Sequence, residues 1–426
     1  MIARAARLAL RQIRHRPGKM LFAVAGIAFP VCMILLQLGF LGAVIASAES
    51  VLSRLRFDLL LHSPAYVTFN DPGTIPQERL AQAQALPEAD DALPLAIWST
   101  IWRGQRLLPA RESYTPNETT ANETTAAASD TSAGYEPAAP PTGLRPLMIF
   151  GIWPGTSPFA IAEVEARAGQ LVRPGAVLMD TQSHRRFGSQ AVGTRAESGG
   201  QAVEIVGNFR MGTGFAADGA IVTSADDFQR LTTRRTPDGR TPVSLGLLTL
   251  TPEAREAIAA DPAHADRLAE QLRTLLPGDT TVTTRAAALA RERRHWVVDE
   301  AIGLIFVFGT AVAMGVGMAI IIQILSSDIA DSFREYATLK AMGYPDSFLS
   351  RVVESQAIAL ALVAYALALL LAYFVLDPWC RDSVNLPVQL WWPRLVAALV
   401  LTVGMCWASA RIAIRKVQRA DPASLF

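Results

Sequence analysis

The residues of this chain that could hold a metal or act as nucleophiles are few and scattered. Its five histidines, His15, His62, His184, His264 and His295, fall in five separate stretches without metal-ligand spacing. Of three cysteines, Cys32 and Cys406 stand inside long apolar runs and Cys380 in a short segment between two such runs, so none reads as part of a disulfide framework. The fragment Pro17-Gly18-Lys19 falls far short of the G-x-x-x-x-G-K-[ST] phosphate loop, and neither a G-x-S-x-G elbow nor an H-E-x-x-H pair occurs. Met211-Gly212-Thr213-Gly214-Phe215 reads as a plain glycine-rich turn. The expectation is therefore a non-enzymatic chain with no catalytic residue, no cofactor and no metal, and one that is not itself a nucleotidase. A net charge of +1 gives no ground for nucleic-acid binding.

What remains is the chemistry of docking. Phe333, Tyr336, Leu339 and Met342 recur at three-residue steps, with Arg334, Glu335 and Lys340 at the rim, and Gly343 followed by Tyr344-Pro345 supplies a helix stop. Such a helix can enter a partner's groove or lie on a lipid surface, and the pattern alone serves both equally.

The elements around this helix set its context. The chain is 51% hydrophobic and 18% charged, more apolar and less charged than an ordinary soluble protein. The excess is gathered in four windows long enough to cross a bilayer: Met20 to Ala48, Ala301 to Leu325, Ala357 to Leu376, and Leu395 to about Ile414. The last contains Arg411, near enough to its end to reach the interface. Lys and Arg crowd the N-terminal flank (Arg4, Arg7, Arg11, Arg14, Arg16, Lys19) and the C-terminal one (Arg411, Arg415, Lys416, Arg419), whereas Asp377 to Pro393 has only Arg381. The positive-inside rule then places both termini and the 333–344 helix in the cytoplasm. Trp379, Trp391 and Trp392 suit the outer aromatic belt. The predicted fold is an α-helical membrane protein with four transmembrane helices and a large α+β extracytoplasmic domain between helices one and two. In order, the regions are an amphipathic N-terminus (1–19), span one (20–48), the outer domain (49–296), span two (297–325), the cytoplasmic helix and loop (326–350), span three (351–376), a short outer loop (377–394), span four (395–414) and a tail (415–426).

Between Val51 and Trp296 the text changes to short alternating strands, Pro/Gly turns and amphipathic helices. Strands are expected at 57–62, 95–102, 147–152, 176–179, 202–208, 220–223 and 244–250, and helices at 77–86, 226–232 and 264–276. The Thr/Ala/Ser/Asn-rich tract 112–146 reads as a surface insertion without anchoring side chains. From Thr280 a strand leads into an Ala/Arg-rich helix, expected to run unbroken into span two. Within the spans, Pro30 should favour a kink. Gln37 is placed to bond across helices. Gly39 and the four-residue series Ala311, Gly315 and Ala319 are the candidate packing positions, although small residues are also simply common in membrane helices.

Several stretches resemble one family. The decapeptide Glu335 to Tyr344, Leu36-Gln37-Leu38-Gly39-Phe40, Asp58 to Pro64 and the tail Ala420-Asp421-Pro422-Ala423-Ser424-Leu425 resemble the FtsX/MacB-like ABC permeases, in wording most nearly the DevC-type exporter subunits. The resemblance implies a bacterial inner-membrane permease with a periplasmic outer domain. It further implies a separate ABC ATPase in two copies, a second permease copy, most simply a homodimer, a periplasmic membrane-fusion adaptor and a TolC-like outer-membrane channel. Phe333, Arg334, Glu335, Tyr336, Leu339, Lys340, Met342 and Gly343 would then form the coupling helix that docks the ATPase. A lipoprotein-releasing permease and an FtsX-like scaffold that activates a cell-wall hydrolase share the span order and stand as alternatives.

Overall fold

The computed structural model describes residues 17–104, 145–184, 187–212, 217–331, 342, 345–376, 378 and 391–418. The chain divides into two compact units, one of residues 1–49 with 291–426 and one of residues 50–290.

The first unit is built on four helices long and apolar enough to cross a membrane. They are α1 (Pro17–Ser53), α8 (Ile302–Asp331), α9 (Asp346–Leu371, extended by a π-helical turn Ala372–Leu376) and α10 (Trp392–Gln418). A helix stands at each of the four predicted windows, overrunning it at both ends in α1 and α10 and at one end in α8 and α9. The shared core joins Ile27, Val31 and Ile34 of α1, Ala313 and Ile321 of α8, and Met405 and Cys406 of α10. On α9 the buried seam is Ala357, Ala361, Ala364, Ala368 and Ala372, a run of methyl groups at helical spacing that lets neighbouring backbones come close. α1 continues through Pro30. Polar ties cross the bundle: the Tyr365 hydroxyl donates to the Leu395 carbonyl at 2.9 Å and Gln356 Nε2 to Asp328 Oδ2 at 2.6 Å. Arg411 reaches Glu354 at 3.1 Å while lying over the Trp407 ring.

The second unit is an α+β domain around a nine-stranded mixed sheet in the order β3-β7-β4-β6-β5-β2-β8-β1-β9. The strands are β1 (Leu59–His62), β2 (Ala89–Gly104), β3 (Arg145–Ile152), β4 (Ala176–Asp180), β5 (Arg195–Ser198), β6 (Gln201–Phe209), β7 (Ala220–Ser224), β8 (Leu245–Leu250) and β9 (Thr281–Thr284). The sixteen-residue β2 pairs with β3, β5 and β8, and the β2–β3 and β2–β5 pairings close six strands into a ring. Alternation along the strands feeds separate cores: Met148 and Phe150 of β3 pack with Leu178 and Val222, whereas Leu147 and Ile149 pack with Met179 and Ile221. The helices α2 (Glu78–Gln84), α3 (Ala162–Glu165), α4 (Ala225–Thr232), α5 (Pro252–Ala260) and α6 (Ala263–Leu275), with a 3-10 turn at Ala168–Val172, complete the unit.

Two polar groups fix its loops. The Asp180 carboxylate at the end of β4 is fully buried and accepts from the backbone N–H groups of Gln182 (3.0 Å), Met211 (3.1 Å) and Gly212 (2.7 Å). Burial pushes its pKa up from the usual 3.8, outweighing the three N–H bonds that pull it down. Arg285, where α7 (Arg285–Arg294) begins, donates to the carbonyls of Ser53 (2.9 Å), Leu55 (2.9 Å) and Phe57 (3.1 Å). A guanidinium there satisfies the Ser53 carbonyl, left over at the C-terminal end of α1, and two carbonyls of the segment that follows it.

Three expectations are corrected. The helix that starts at Arg285 does not run unbroken into span two: it ends in a π-helical turn, His295–Asp299, and Ala301 takes the left-handed conformation (φ 55°) before α8 starts at Ile302. Gly303 makes this possible, since a Cβ there would lie 2.3 Å from the Val297 carbonyl oxygen. Nothing in the sequence signals this break, because the αL position is filled by alanine rather than glycine. The predicted insertion 112–146 ends too late, for Arg145 and Pro146 already pair with Trp102 and Ile101 in the sheet; its remainder, to residue 144, lies outside the described residues. Strand β5 and helices α3 and α5 were not anticipated.

Candidate coupling site

The candidate docking residues Phe333, Arg334, Glu335, Tyr336, Leu339, Lys340 and Gly343 lie outside the described residues. Met342 is described and is 62% exposed. What the structure defines is the frame on either side: α8 closes at Asp331 and α9 opens at Asp346, after Pro345 in extended conformation. Phe348 and Val352 are buried together on the first turns of α9. The frame is stitched by the Gln356–Asp328 bond, and a cavity of about 390 Å³ opens beside it, lined by Phe22, Gln323, Asp328, Asp331, Gln356 and Leu360.

The candidate packing residues divide. Gly39 is buried on α1, whereas Ala311, Gly315 and Ala319 are exposed on α8, and a Cβ on Gly315 would meet nothing within 4 Å. The contacts inside the chain are taken by a parallel series two residues earlier, Gly309, Ala313 and Gly317. A Cβ on Gly309 would meet Gln37 Nε2 at 2.6 Å, and one on Gly317 would meet Met405 Sδ at 2.5 Å and Pro30 Cβ at 3.1 Å. The sequence carries both series at the same four-residue spacing, and only the fold distinguishes the face turned to α1 and α10. Gln37 packs against Gly309 of α8 but does not make the expected bond across helices through its Oε1, which is buried without a hydrogen-bond partner among the described residues. Gln323, Asp328 and Gln356 were missed; the polar residues near the ends of two apolar windows were the available signal.

These features define a class: a polytopic α-helical membrane protein with an α+β domain between its first two spans. Residues 307–422, which take in most of α8, the connecting segment, α9 and α10, match the FtsX-like permease C-terminal family. This part of the chain is an FtsX-like permease domain. No curated protein matches it. Among solved structures, it is similar over 54% of its length to the extracellular domain of the noncanonic ABC-type transporter YknZ from Gram-positive bacteria, at 13% identity and a TM-score of 0.29, with all of that chain covered. It is similar over 54% to the periplasmic region of MacB from Actinobacillus actinomycetemcomitans, at 8% identity and a TM-score of 0.30, with 89% of that chain covered.

Proposed function

We propose that the chain is the permease subunit of a MacB/DevC-type exporter, a non-catalytic partner of a separate ABC ATPase. In this reading ATP-driven movement of two ATPase copies reaches the 333–343 helix, passes through the spans, and changes the outer domain so that a periplasmic or membrane-derived substrate is expelled. The membrane is the bacterial inner membrane, with both termini cytoplasmic and the outer domain periplasmic. A second permease copy, an adaptor and an outer-membrane channel complete the assembly. Ala311, Gly315 and Ala319, exposed in the single chain, are the positions we assign to close helix approach by the second copy.

The observation that carries the reading is the family match across the connecting segment itself, residues 307–422, together with an amphipathic text at 333–343 that offers one apolar face and a charged rim. The test is ATP turnover of the reconstituted permease–ATPase complex with Leu339→Asp or Tyr336→Asp, either of which drives a charge into the docking face. Loss of permease-stimulated turnover, with the chain still folded and inserted, is the expected result. Full stimulation in both variants would overturn the assignment.

A further inference from the structure

We propose that the outer unit holds a small-molecule site, between the Trp153–Thr156 turn and the Ala168–Val172 helical turn, for an organic anion with a compact apolar body. The cleft has a volume of about 400 Å³, inside the range of roughly 300–1,000 Å³ usual for ligand pockets. Ile152, Trp153, Leu171 and Val172 give it apolar walls. Val172 is 69% exposed, an aliphatic side chain held in water at the opening.

The walls are preformed. Trp153-Pro154-Gly155-Thr156 is a tight turn with Pro before a left-handed Gly155 (φ 78°), closed twice: the Thr156 N–H and hydroxyl both donate to the Trp153 carbonyl, at 3.1 and 2.8 Å. A Cβ added to Gly155 or to Gly169, on opposite walls, would meet nothing within 4 Å, so both glycines border open space. A rigid cavity of this kind spends little ordering free energy on a ligand.

The charge comes from Arg56. Its backbone N–H donates to the Pro158 carbonyl at 2.8 Å, which fixes its root against the wall, and its guanidinium pairs with Glu165, also lining the cleft. The two side chains are 46% and 33% exposed, so the pair contributes little stability and a ligand can share it. A guanidinium has five donors and can serve Glu165 and a second carboxylate together. Arg56 and Glu165 are the charged side chains in the lining, and Arg167 on the neighbouring segment is instead spent on the Asn208 carbonyl at 2.8 Å. The anion is therefore held by the donors Arg56 has beyond those given to Glu165.

The site does not rest on the export reading, because binding is measured without an ATPase. The probe is naphthalene-2-carboxylate, titrated by saturation-transfer NMR onto the full chain in lipid nanodiscs, with empty nanodiscs subtracted. Saturable binding is expected, weakened at least tenfold by Arg56→Gln and by Val172→Glu, and weaker for the neutral amide and the cationic naphthylmethylamine. Both substituted side chains are substantially exposed, and unchanged thermal unfolding of the variants checks their folding. Absence of saturable binding, equal affinity in either variant, or preference for the amide or the amine would each overturn the proposal.

Discussion

Replacing Asp180 by alanine is the sharpest test of how the outer unit is held. The substitution strips the acceptor from three backbone N–H groups, those of Gln182, Met211 and Gly212. The Met211 donor is buried and the other two are partly so; an orphaned buried donor costs about 1–3 kcal/mol and a partly wetted one falls at the low end. Removing a desolvated carboxylate returns about 1 kcal/mol, which leaves a net loss of about 2–3 kcal/mol. For a domain of this size that is a fall in Tm of about 5–10 °C, read by differential scanning fluorimetry on the full chain. The pH dependence carries a second sign. Because burial raises the Asp180 pKa above 3.8, the folded protein keeps a proton that the unfolded chain has lost. The stability this group contributes is therefore full below about 3.8 and is lost as pH rises through the higher folded value. The gap between parent and variant should narrow from pH 4 to pH 7. A gap that widened with pH, or a Tm change under 1 °C, would refute the argument.

Three further outcomes are expected. Gly303→Ala places a methyl 2.3 Å from the Val297 carbonyl oxygen; forcing this turn open costs about 1–3 kcal/mol, visible as faster trypsin cleavage in the Arg285–Arg294 helix. Ala301→Gly does the opposite, relieving about 1 kcal/mol of left-handed strain, and slows the same cleavage. Arg285→Met leaves the carbonyls of Ser53, Leu55 and Phe57 without their donor; a loss of about 2–4 kcal/mol follows, measured as the urea midpoint of the outer unit.

Much of the architecture is written in local patterns. Four apolar windows long enough for a bilayer became four helices, and strands such as Leu147–Ile152 showed their β character in alternation that the two cores reproduce. Thr251-Pro252-Glu253 was legible in principle: the Thr251 hydroxyl accepts from the Ala254 N–H at 3.4 Å with proline just inside the helix, a start signal for α5. Strand β5, by contrast, reads Arg-Ala-Glu-Ser and has little intrinsic β preference; it exists because β6 and the end of β2 offer it a ladder. The ring closure through β2 is likewise non-local and leaves no trace in any one segment. On α8, the choice between the Gly309 and Ala311 series was not readable from spacing. Both have small residues four apart, and only the packing of Gln37, Pro30 and Met405 separates them.

The left-handed residue at 301 also has a consequence for helical phase. Along α1, which runs unbroken from Pro17 to Ser53, adding one residue turns everything beyond it by about 100°. Between α7 and α8 the chain drops out of helical repeat at Glu300–Ala301 and starts afresh at Ile302, so the phase of both small-residue stripes on α8 is counted from Ile302. Relatives should thus keep a fixed count within α1 and from residue 302 to residue 319.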